Sequence, residues 1–137
     1  MKIYFAGSIR GGREDQEIYF SIIKKIGNFG EVLTEHIGKK ELTNHGETTL
    51  SDKEIFERDM NWIKESDIVV AEVTVPSLGV GYELGQAESM NKKIICLYRE
   101  TENKRLSAMI SGNQYMKIFK YATLEDVDKI LSENLKN

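Results

Sequence analysis

The chain has 137 residues, 40% of them hydrophobic and 30% charged, which is enough for one domain with a single core and too few for two ordinary domains. Its 19 basic and 22 acidic residues give a net charge of −3, which disfavours a broad positive surface for polymeric nucleic acid. No apolar run approaches the length of a membrane span, and residue 1 leads into a strand pattern without a signal sequence. We therefore expect one cytoplasmic domain over residues 1–137 that binds neither nucleic acid polymers nor membranes.

Apolar runs and segments with helical spacing alternate along the chain. In chain order, the runs predict strands at residues 2–6, 31–34, 67–73, 93–98 and 115–119. The remaining patterned segments predict helices at residues 13–29, 52–65, 80–90, 106–110 and 124–135. This alternation predicts a three-layer, Rossmann-like α/β fold, in which a five-stranded parallel sheet is covered by helices on both faces.

The single cysteine and the two histidines bear on redox state and metals. Cys96 lies within the apolar run 94–98, so we expect a buried thiol in a reducing compartment. His36 and His45 have no partner at a metal-ligand spacing. We therefore expect neither a metal nor another cofactor.

Ligands of such folds bind where the loops at the carboxyl ends of the strands converge. Three loops qualify, at residues 7–12, 38–51 and 74–81. The middle loop is polar, has no periodicity, and is longer than an ordinary α/β connection. Two interpretations of it remain open, a lid over the site and a disordered surface insertion.

The third loop runs into a glycine-punctuated helix start, PSLGVGYELG at residues 76–85. Such a turn leaves backbone N–H groups unpaired at the positive end of a helix, which favours an anion site. Ser77 or Gly79 could instead only cap the helix.

The first loop, GSIRGG at residues 7–12, matches neither G-x-G-x-x-G nor G-x-x-x-x-G-K-[ST]. Dinucleotide and nucleoside triphosphate binding are therefore not supported. A backbone nest with the Ser8 hydroxyl and the Arg10 charge suits one phosphate or carboxylate, although glycine turns with an exposed arginine are common.

Asp59 lies in the middle of an apolar helical stripe formed by Ile55, Phe56, Trp62 and Ile63. Because burying an unpaired charge is very costly, this carboxylate must be partnered, protonated or at the mouth of a pocket. It is interpreted either as a buried structural aspartate or as a general acid/base with a raised pKa.

Glu83 borders the inward stripe of its helix, which Val80, Leu84 and Ala87 form. The helix N-terminus should stabilise its ionised form, as a nucleophile or base requires, although such a glutamate can also serve the helix dipole alone. With Asp59, it gives two carboxylates in opposite environments, which suggests retaining glycosyl chemistry.

Tyr4 lies in the first predicted strand, with its ring on the opposite face from Ile3 and Phe5. It is placed beside the strand that feeds the third loop, so its hydroxyl could orient a carboxylate. The alternative is an ordinary core aromatic.

The chain resembles the 2′-deoxynucleoside 5′-phosphate N-hydrolases of the nucleoside deoxyribosyltransferase-like superfamily. The matching segments are YFAGSIRGGRED at 4–15, VLTEH at 32–36, RDMNWIKESDIVVAEVTVPSLGVGYELG at 58–85 and LSAMI at 106–110. The resemblance implies a flavodoxin-like homodimer that cleaves deoxynucleoside monophosphates into a free base and 2-deoxyribose 5-phosphate without a cofactor.

The resemblance also implies roles for residues. Glu83 corresponds to a nucleophile that forms a covalent deoxyribosyl intermediate, Tyr4 to the residue that orients it, and Asp59 to the acid/base. The serine matching Ser107 reaches the phosphate from the neighbouring subunit, and His36 matches a contact near the base. The other matches bind the nucleotide, chiefly through its 5′-phosphate: Gly7, Ser8, Ile9, Arg10, Gly11, Ser77 and Gly79.

Three alternatives to this activity remain on the same scaffold. One is a deoxyribosyltransferase acting on free nucleosides, against which Arg10, Ser77 and Ser107 argue because they form a phosphate site. Another is a ribonucleotide hydrolase of the kind that cleaves cytidine monophosphate. The third is a nucleotide sensor without catalysis.

Overall fold

The computed structural model describes residues 1–10, 12–36, 50–101 and 104–136, and within them five strands form one sheet with helices on both faces. The strands are β1 (Lys2–Gly7), β2 (Glu31–Leu33), β3 (Ile68–Glu72), β4 (Lys93–Arg99) and β5 (Lys117–Tyr121). The helices are α1 (Arg13–Ile26), α2 (Asp52–Glu65), α3 (Leu78–Ser89), α4 (Ala108–Ser111) and α5 (Leu124–Asn134).

The strand order is β2-β1-β3-β4-β5 and every pairing is parallel. This is the flavodoxin-like order, so the predicted fold class is confirmed. The direction of winding reverses between β1 and β3. The loops that follow these two strands therefore border the crevice in which such folds bind ligands.

Side-chain alternation along β1 divides the core into two halves. Ile3 and Phe5 pack on the side of α1 and α5, whereas Tyr4 and Ala6 pack on the side of α2 and α3. The orientation predicted for Tyr4 is therefore confirmed.

Two serine caps set the positions of the predicted catalytic carboxylates along their helices. The Ser51 hydroxyl accepts the Glu54 N–H at 3.1 Å and the Glu54 carboxylate accepts the Ser51 N–H at 3.0 Å, which begins α2 and places Asp59 two turns along it. The Ser77 hydroxyl accepts the Val80 N–H at 3.2 Å and begins α3.

Some predicted boundaries are wrong by two or three residues. Helix α1 ends at Ile26 instead of residue 29, and α3 begins at Leu78, earlier than residue 80, because the cap lies at Ser77. Strand β5 starts at Lys117 and not at residue 115. The backbone N–H groups of Tyr115 and Met116 donate to Asn113 Oδ1 and so form a turn before the strand.

Cys96 lies in β4 at the centre of the sheet and is fully buried, as predicted. Burial raises the pKa of its thiol to about 12. None of the helices in the described ranges is long and apolar enough to cross a membrane.

Candidate active site

A cleft of about 420 Å³ opens at the carboxyl edge of the sheet, between the loop after β1 and the start of α3. The residues that line it come from the first loop, the end of β2 and the third loop with α3: Gly7, Ser8, Ile9, Arg10, Glu35, Pro76, Ser77, Leu78, Gly79, Val80 and Glu83. The first and third loops thus meet at one site, as the sequence predicts.

Tyr4 and Glu83 form a pair at the base of the cleft. The Tyr4 hydroxyl donates a hydrogen bond to Glu83 Oε2 from a ring that is almost completely buried. Burial raises the pKa of Tyr4, and the charges of Glu83 and Asp59 raise it further. Tyr4 therefore remains a hydrogen-bond donor and holds one carboxylate oxygen in place.

Glu83 does not have the environment that its helix position alone suggests. Burial raises the pKa of its carboxyl from 4.5 to about 7, the Tyr4 hydrogen bond opposes this rise, and the charges of Asp59 and Glu35 add to it. This raised pKa runs against the expectation that Glu83 stays ionised at neutral pH, because burial and two like charges favour its protonated form.

Asp59 is buried, with 8% of its surface exposed, as its place in the helix predicts. Burial raises the pKa of its carboxyl, and Arg58, whose Nε donates to Asp59 Oδ1 at 3.0 Å, opposes the rise. The stripe around it is narrower than predicted, since Phe56 is half exposed and contacts Tyr82. Both catalytic candidates thus have raised pKa values, so the predicted contrast between their environments is wrong.

Glu35 is a site residue that sequence reasoning missed. It lines the cleft just beyond β2, and its Oε2 accepts a hydrogen bond from Arg58 Nη2 at 3.3 Å. Arg58 thereby contacts two acidic side chains of the site while its guanidinium lies 4.6 Å from the ring centre of Trp62. The sequence feature that could have identified Glu35 is its place as a charged residue at the carboxyl end of a parallel strand.

The opposite end of the cleft suits an anion. Ser8 is 3% exposed, and its hydroxyl accepts the Arg10 N–H at 3.3 Å, so the start of the first loop is folded inward. A Cβ atom at Gly79 would lie 3.8 Å from Ser77 Oγ and 4.0 Å from Glu83 Oε1. The glycine therefore leaves space between the helix N-terminus and the carboxylate. A molecule with an anionic group and an electrophilic carbon fits these two ends.

His36 lies beneath the first loop and is not among the residues that line the cleft. Its Nε2 is 2.9 Å from the Gly7 carbonyl oxygen, and its ring contacts Phe5 and Tyr19 at centroid distances of 5.7 Å and 5.2 Å. Its assignment as a contact near the base stays a prediction.

Ser107 caps α4 and lies in a second cavity of about 430 Å³ on the other side of the segment 76–80. It is not among the residues that line the Glu83 cleft of its own chain.

Gly11, His45 and nearly all of the predicted loop 38–51 lie outside the described residues. Within the described ranges, no group of three or more His, Cys, Asp or Glu residues could hold a metal ion.

The fold of this chain has known counterparts. The family model for nucleoside 2-deoxyribosyltransferase matches residues 3–132, and the chain belongs to that family. The family predicted from the sequence is thereby confirmed.

Two relatives and one solved structure specify the similarity further. The 5-hydroxymethyl-dUMP N-hydrolase of Tetraodon nigroviridis is 57% identical over 113 residues, which is 82% of this chain and 80% of the relative. The protein of the same name from Danio rerio is 51% identical over 135 residues, which is 97% of this chain and 94% of the relative. The CMP N-glycosidase BcmB of Clostridium botulinum shares the fold, with a TM-score of 0.67 and 22% identity over 97% of this chain and 99% of that one.

Proposed function

We propose that this protein hydrolyses the N-glycosidic bond of 2′-deoxynucleoside 5′-monophosphates and releases the base and 2-deoxyribose 5-phosphate. The observation that carries the proposal is the Tyr4-held carboxylate of Glu83 in a cleft whose other end suits a phosphate. The names of the two N-hydrolase relatives support both the bond that is cleaved and the nucleotide level of the substrate. They also favour 5-hydroxymethyl-dUMP as the first substrate to assay.

The first chemical step forms a covalent intermediate. The Glu83 carboxylate attacks C1′ of the sugar, the bond from C1′ to the base nitrogen breaks, and the base departs with that electron pair and a proton from Asp59. A raised pKa suits Asp59 to this role because it keeps the acid protonated closer to neutral pH. Tyr4 holds Glu83 Oε2 and leaves Oε1 for the attack.

The second step returns the protein to its starting state. A water molecule gives a proton to Asp59 and attacks C1′, and the bond between C1′ and Glu83 breaks. The products are 2-deoxyribose 5-phosphate and the free Glu83 carboxylate. Each group returns to its initial protonation state, so the cycle needs no cofactor.

The phosphate does not react, but its binding positions the carbon that does. Donors of the first loop and of the start of α3 hold the phosphate, and this binding energy fixes C1′ against Glu83. A 2′-hydroxyl would destabilise the oxocarbenium-like transition state by withdrawing electrons. We therefore propose that deoxyribonucleotides are preferred over ribonucleotides.

Rapid quench followed by intact-mass analysis tests the reaction. Incubation with 5-hydroxymethyl-dUMP should give an adduct of deoxyribosyl phosphate mass that maps to Glu83 and is absent from Glu83→Gln. The matched control is Glu88→Gln on the same helix, because that carboxylate bonds Asn113 Nδ2 at 2.7 Å and does not line the cleft. The proposal is wrong if no deoxynucleoside monophosphate yields the sugar phosphate, or if Glu83→Gln remains fully active.

We also propose that the protein is a homodimer in which Ser107 completes the neighbouring subunit's site. Leu78 is 97% exposed and Met109 is 81% exposed beside the cavity that contains Ser107. A Cβ atom at Gly81 or Gly85 would meet nothing within 4 Å, so the outer face of α3 is open. A second copy packed there would cover an exposed apolar patch, which monomers rarely leave open.

Mixing two variants tests this arrangement. If Ser107 acts across the interface, a heterodimer of Glu83→Gln and Ser107→Ala has one site with both residues intact. The mixture should then be more active than the average of the two separate variants. Activity equal to that average would place Ser107 in the site of its own chain or outside any site.

The main rival is transfer to a second base, as the family name describes. Adding an excess of a free base to the reaction separates the two activities, since hydrolysis gives only the sugar phosphate and transfer gives a new nucleotide.

We propose a cytoplasmic location, which the single buried thiol of Cys96 supports.

A further inference from the structure

A polar cluster on the face of the sheet opposite Glu83 links the first and third loops. We call it the loop brace, and it consists of Asp15, Glu72, Thr74, Arg99 and Tyr121. In the register of β1 and β3, the Glu72 Cα pairs with the Cα of Gly7, where the first loop begins. The brace therefore lies directly below the anion end of the cleft.

Glu72 anchors the start of the third loop. It is 1% exposed, and its carboxylate accepts the Thr74 N–H at 2.7 Å, the Thr74 hydroxyl at 2.8 Å and the Tyr121 hydroxyl. Hydrogen bonds from three donors fix this buried acid and with it the chain that leads to Ser77.

Arg99 connects that anchor to the first loop. Its backbone N–H donates to Thr74 Oγ1 at 2.9 Å, and its side-chain Nη2 donates to Asp15 Oδ1 at 2.8 Å, so a substitution of Arg99 removes only the second bond. Asp15 in turn accepts the Gly12 N–H through Oδ2 at 3.2 Å, at the end of the first loop. One residue thus bonds groups that fix both walls of the cleft.

The brace is not fully satisfied, as a cluster built for stability alone would be. Among the described residues, the buried Tyr19 Oη and Arg99 Nη1 have no hydrogen-bond partner. Burial and the charges of Glu72 and Asp15 raise the pKa of the Tyr19 hydroxyl. The Ser8 amide and the Arg99 guanidinium oppose this rise, yet neither bonds the hydroxyl with good geometry. Arg99 therefore keeps one donor that no described residue accepts.

We propose that Arg99 is a positioning residue that holds the first and third loops at the separation that the substrate's phosphate requires. The proposal rests on the proposed function, because that function places the phosphate between these loops. Arg99 bonds neither Glu83, Tyr4 nor Asp59, so it acts on binding and not on the chemical groups.

Kinetics of Arg99→Met and Arg99→Lys test the proposal, together with calorimetric binding of inorganic phosphate. In Arg99→Met we expect both KM for the monophosphate and Kd for phosphate to rise about tenfold, because small misplacement of a positioned group is costly. The pH profile should not move, since the carboxylates lie on the other face. Arg99→Lys should recover part of the loss, because one N–H group is enough for the contact with Asp15.

Lys25→Met is the matched control. Lys25 lies on α1 like Asp15, and its Nζ bonds Asp128 at 2.8 Å, which ties the far end of α1 to α5. This variant also loses an ion pair of α1 but touches neither loop. We expect its KM and phosphate Kd to equal those of the wild type.

Several outcomes decide the matter. Wild-type KM and phosphate Kd in a folded Arg99→Met would reduce the brace to a structural role and overturn the proposal. If Arg99→Met does not fold, Asp15→Asn breaks the same link from the other side and must raise both constants. Arg99-dependent phosphate binding without turnover would contradict the proposed function but support the brace. A wild type that neither binds phosphate nor turns over would contradict both.

Discussion

On each face of the sheet a glutamate accepts a hydrogen bond from a tyrosine, half-buried Glu83 on one face and fully buried Glu72 on the other. Glu83 pairs with Tyr4 on the face of α2 and α3, and Glu72 pairs with Tyr121 on the face of α1 and α5. Both glutamates stand near the carboxyl edge, and burial raises the pKa of each. The residue types are identical, but the surroundings differ.

Glu72 has its hydrogen bonds satisfied and has a cation nearby. Two donors of Thr74 supplement Tyr121, and the charge of Arg99 lowers the pKa of Glu72. Among the described residues, Glu83 has only the Tyr4 hydroxyl as a donor. It faces an open cleft and is close enough to Asp59 and Glu35 for their charges to raise its pKa. The comparison teaches that a carboxylate short of donors and close to like charges has the environment expected of a reactive group, which supports the role proposed for Glu83.

The largest expected difference between the two pairs is in turnover. Glu83→Gln removes the proposed nucleophile, so kcat should fall by at least about 10³-fold. Glu72→Gln should retain measurable kcat, because Glu72 does not face the cleft. Steady-state rates at saturating substrate check this, and an equal loss in both variants would erase the contrast.

A pH-dependent effect on stability is expected at Glu83. Its pKa of about 7 in the folded protein lies above the ordinary 4.5, so the folded state binds more protons than the unfolded state between these values. The wild type should therefore lose up to about 3 kcal/mol of unfolding free energy as pH rises across this window.

Glu83→Gln lacks that titration. The unfolding free energy of Glu83→Gln minus that of the wild type should therefore be larger at pH 8 than at pH 5. The increase should reach up to about 3 kcal/mol. Urea unfolding of both proteins at the two pH values measures the difference. A difference that stays constant with pH would show that the pKa of Glu83 is not raised.

Glu72→Gln should lower stability by about 1–3 kcal/mol. A glutamine amide would point a donor at groups that are themselves donors, the Thr74 N–H, the Thr74 hydroxyl and the Tyr121 hydroxyl. Denaturant unfolding at neutral pH checks the loss. Unchanged stability would mean that the hydrogen bonds accepted by the Glu72 carboxylate do not stabilise the fold.

The smallest expected effects are shifts in the acid limb of kcat/KM. Turnover needs ionised Glu83, so the limb of the wild type should lie near pH 7. Tyr4→Phe removes the hydrogen bond that lowers the pKa of Glu83 and should move the limb to higher pH. Asp59→Asn removes the proposed acid and should lower kcat/KM at every pH, but it also removes a charge that raises the pKa of Glu83, so the limb of the residual activity should move to lower pH.

Each shift should be about one pH unit or less. Titration of the substrate phosphate is common to all three proteins, so the differences report on Glu83. Profiles of kcat/KM against pH for the wild type and both variants provide the measurement. Shifts in the same direction would contradict the electrostatic account of the site.

Local patterns were sufficient for the fold and for much of the site. Strand and helix periods placed the ten elements of the described residues, and strand alternation placed Tyr4 on the correct face. An out-of-place charge in an apolar stripe identified Asp59 as buried. Boundaries that depend on side-chain hydrogen bonds, such as the turn at Asn113, were not visible in the apolar pattern.

The electrostatics needed tertiary information. The raised pKa of Glu83 depends on burial and then on the charges of Asp59 and Glu35, all of which require the packing of other segments of the chain, whereas the helix dipole is local. Glu72 was accessible in principle, because a lone carboxylate in the buried strand β3 is as anomalous as Asp59 in its helix. The contact of Arg99 with Asp15 could not be predicted, since it joins the end of β4 to the start of α1.

The buried thiol of Cys96 can serve as a natural probe of how often the sheet opens. Its thiol is inaccessible in the middle of the central sheet and resists ionisation, so an alkylating reagent can react only after β4 separates from its neighbours. Because the chain has one cysteine, a single mass increase marks each molecule that has opened and reacted. When reclosing is faster than alkylation, the rate of this mass increase under native conditions reports the opening free energy of the sheet without an engineered probe.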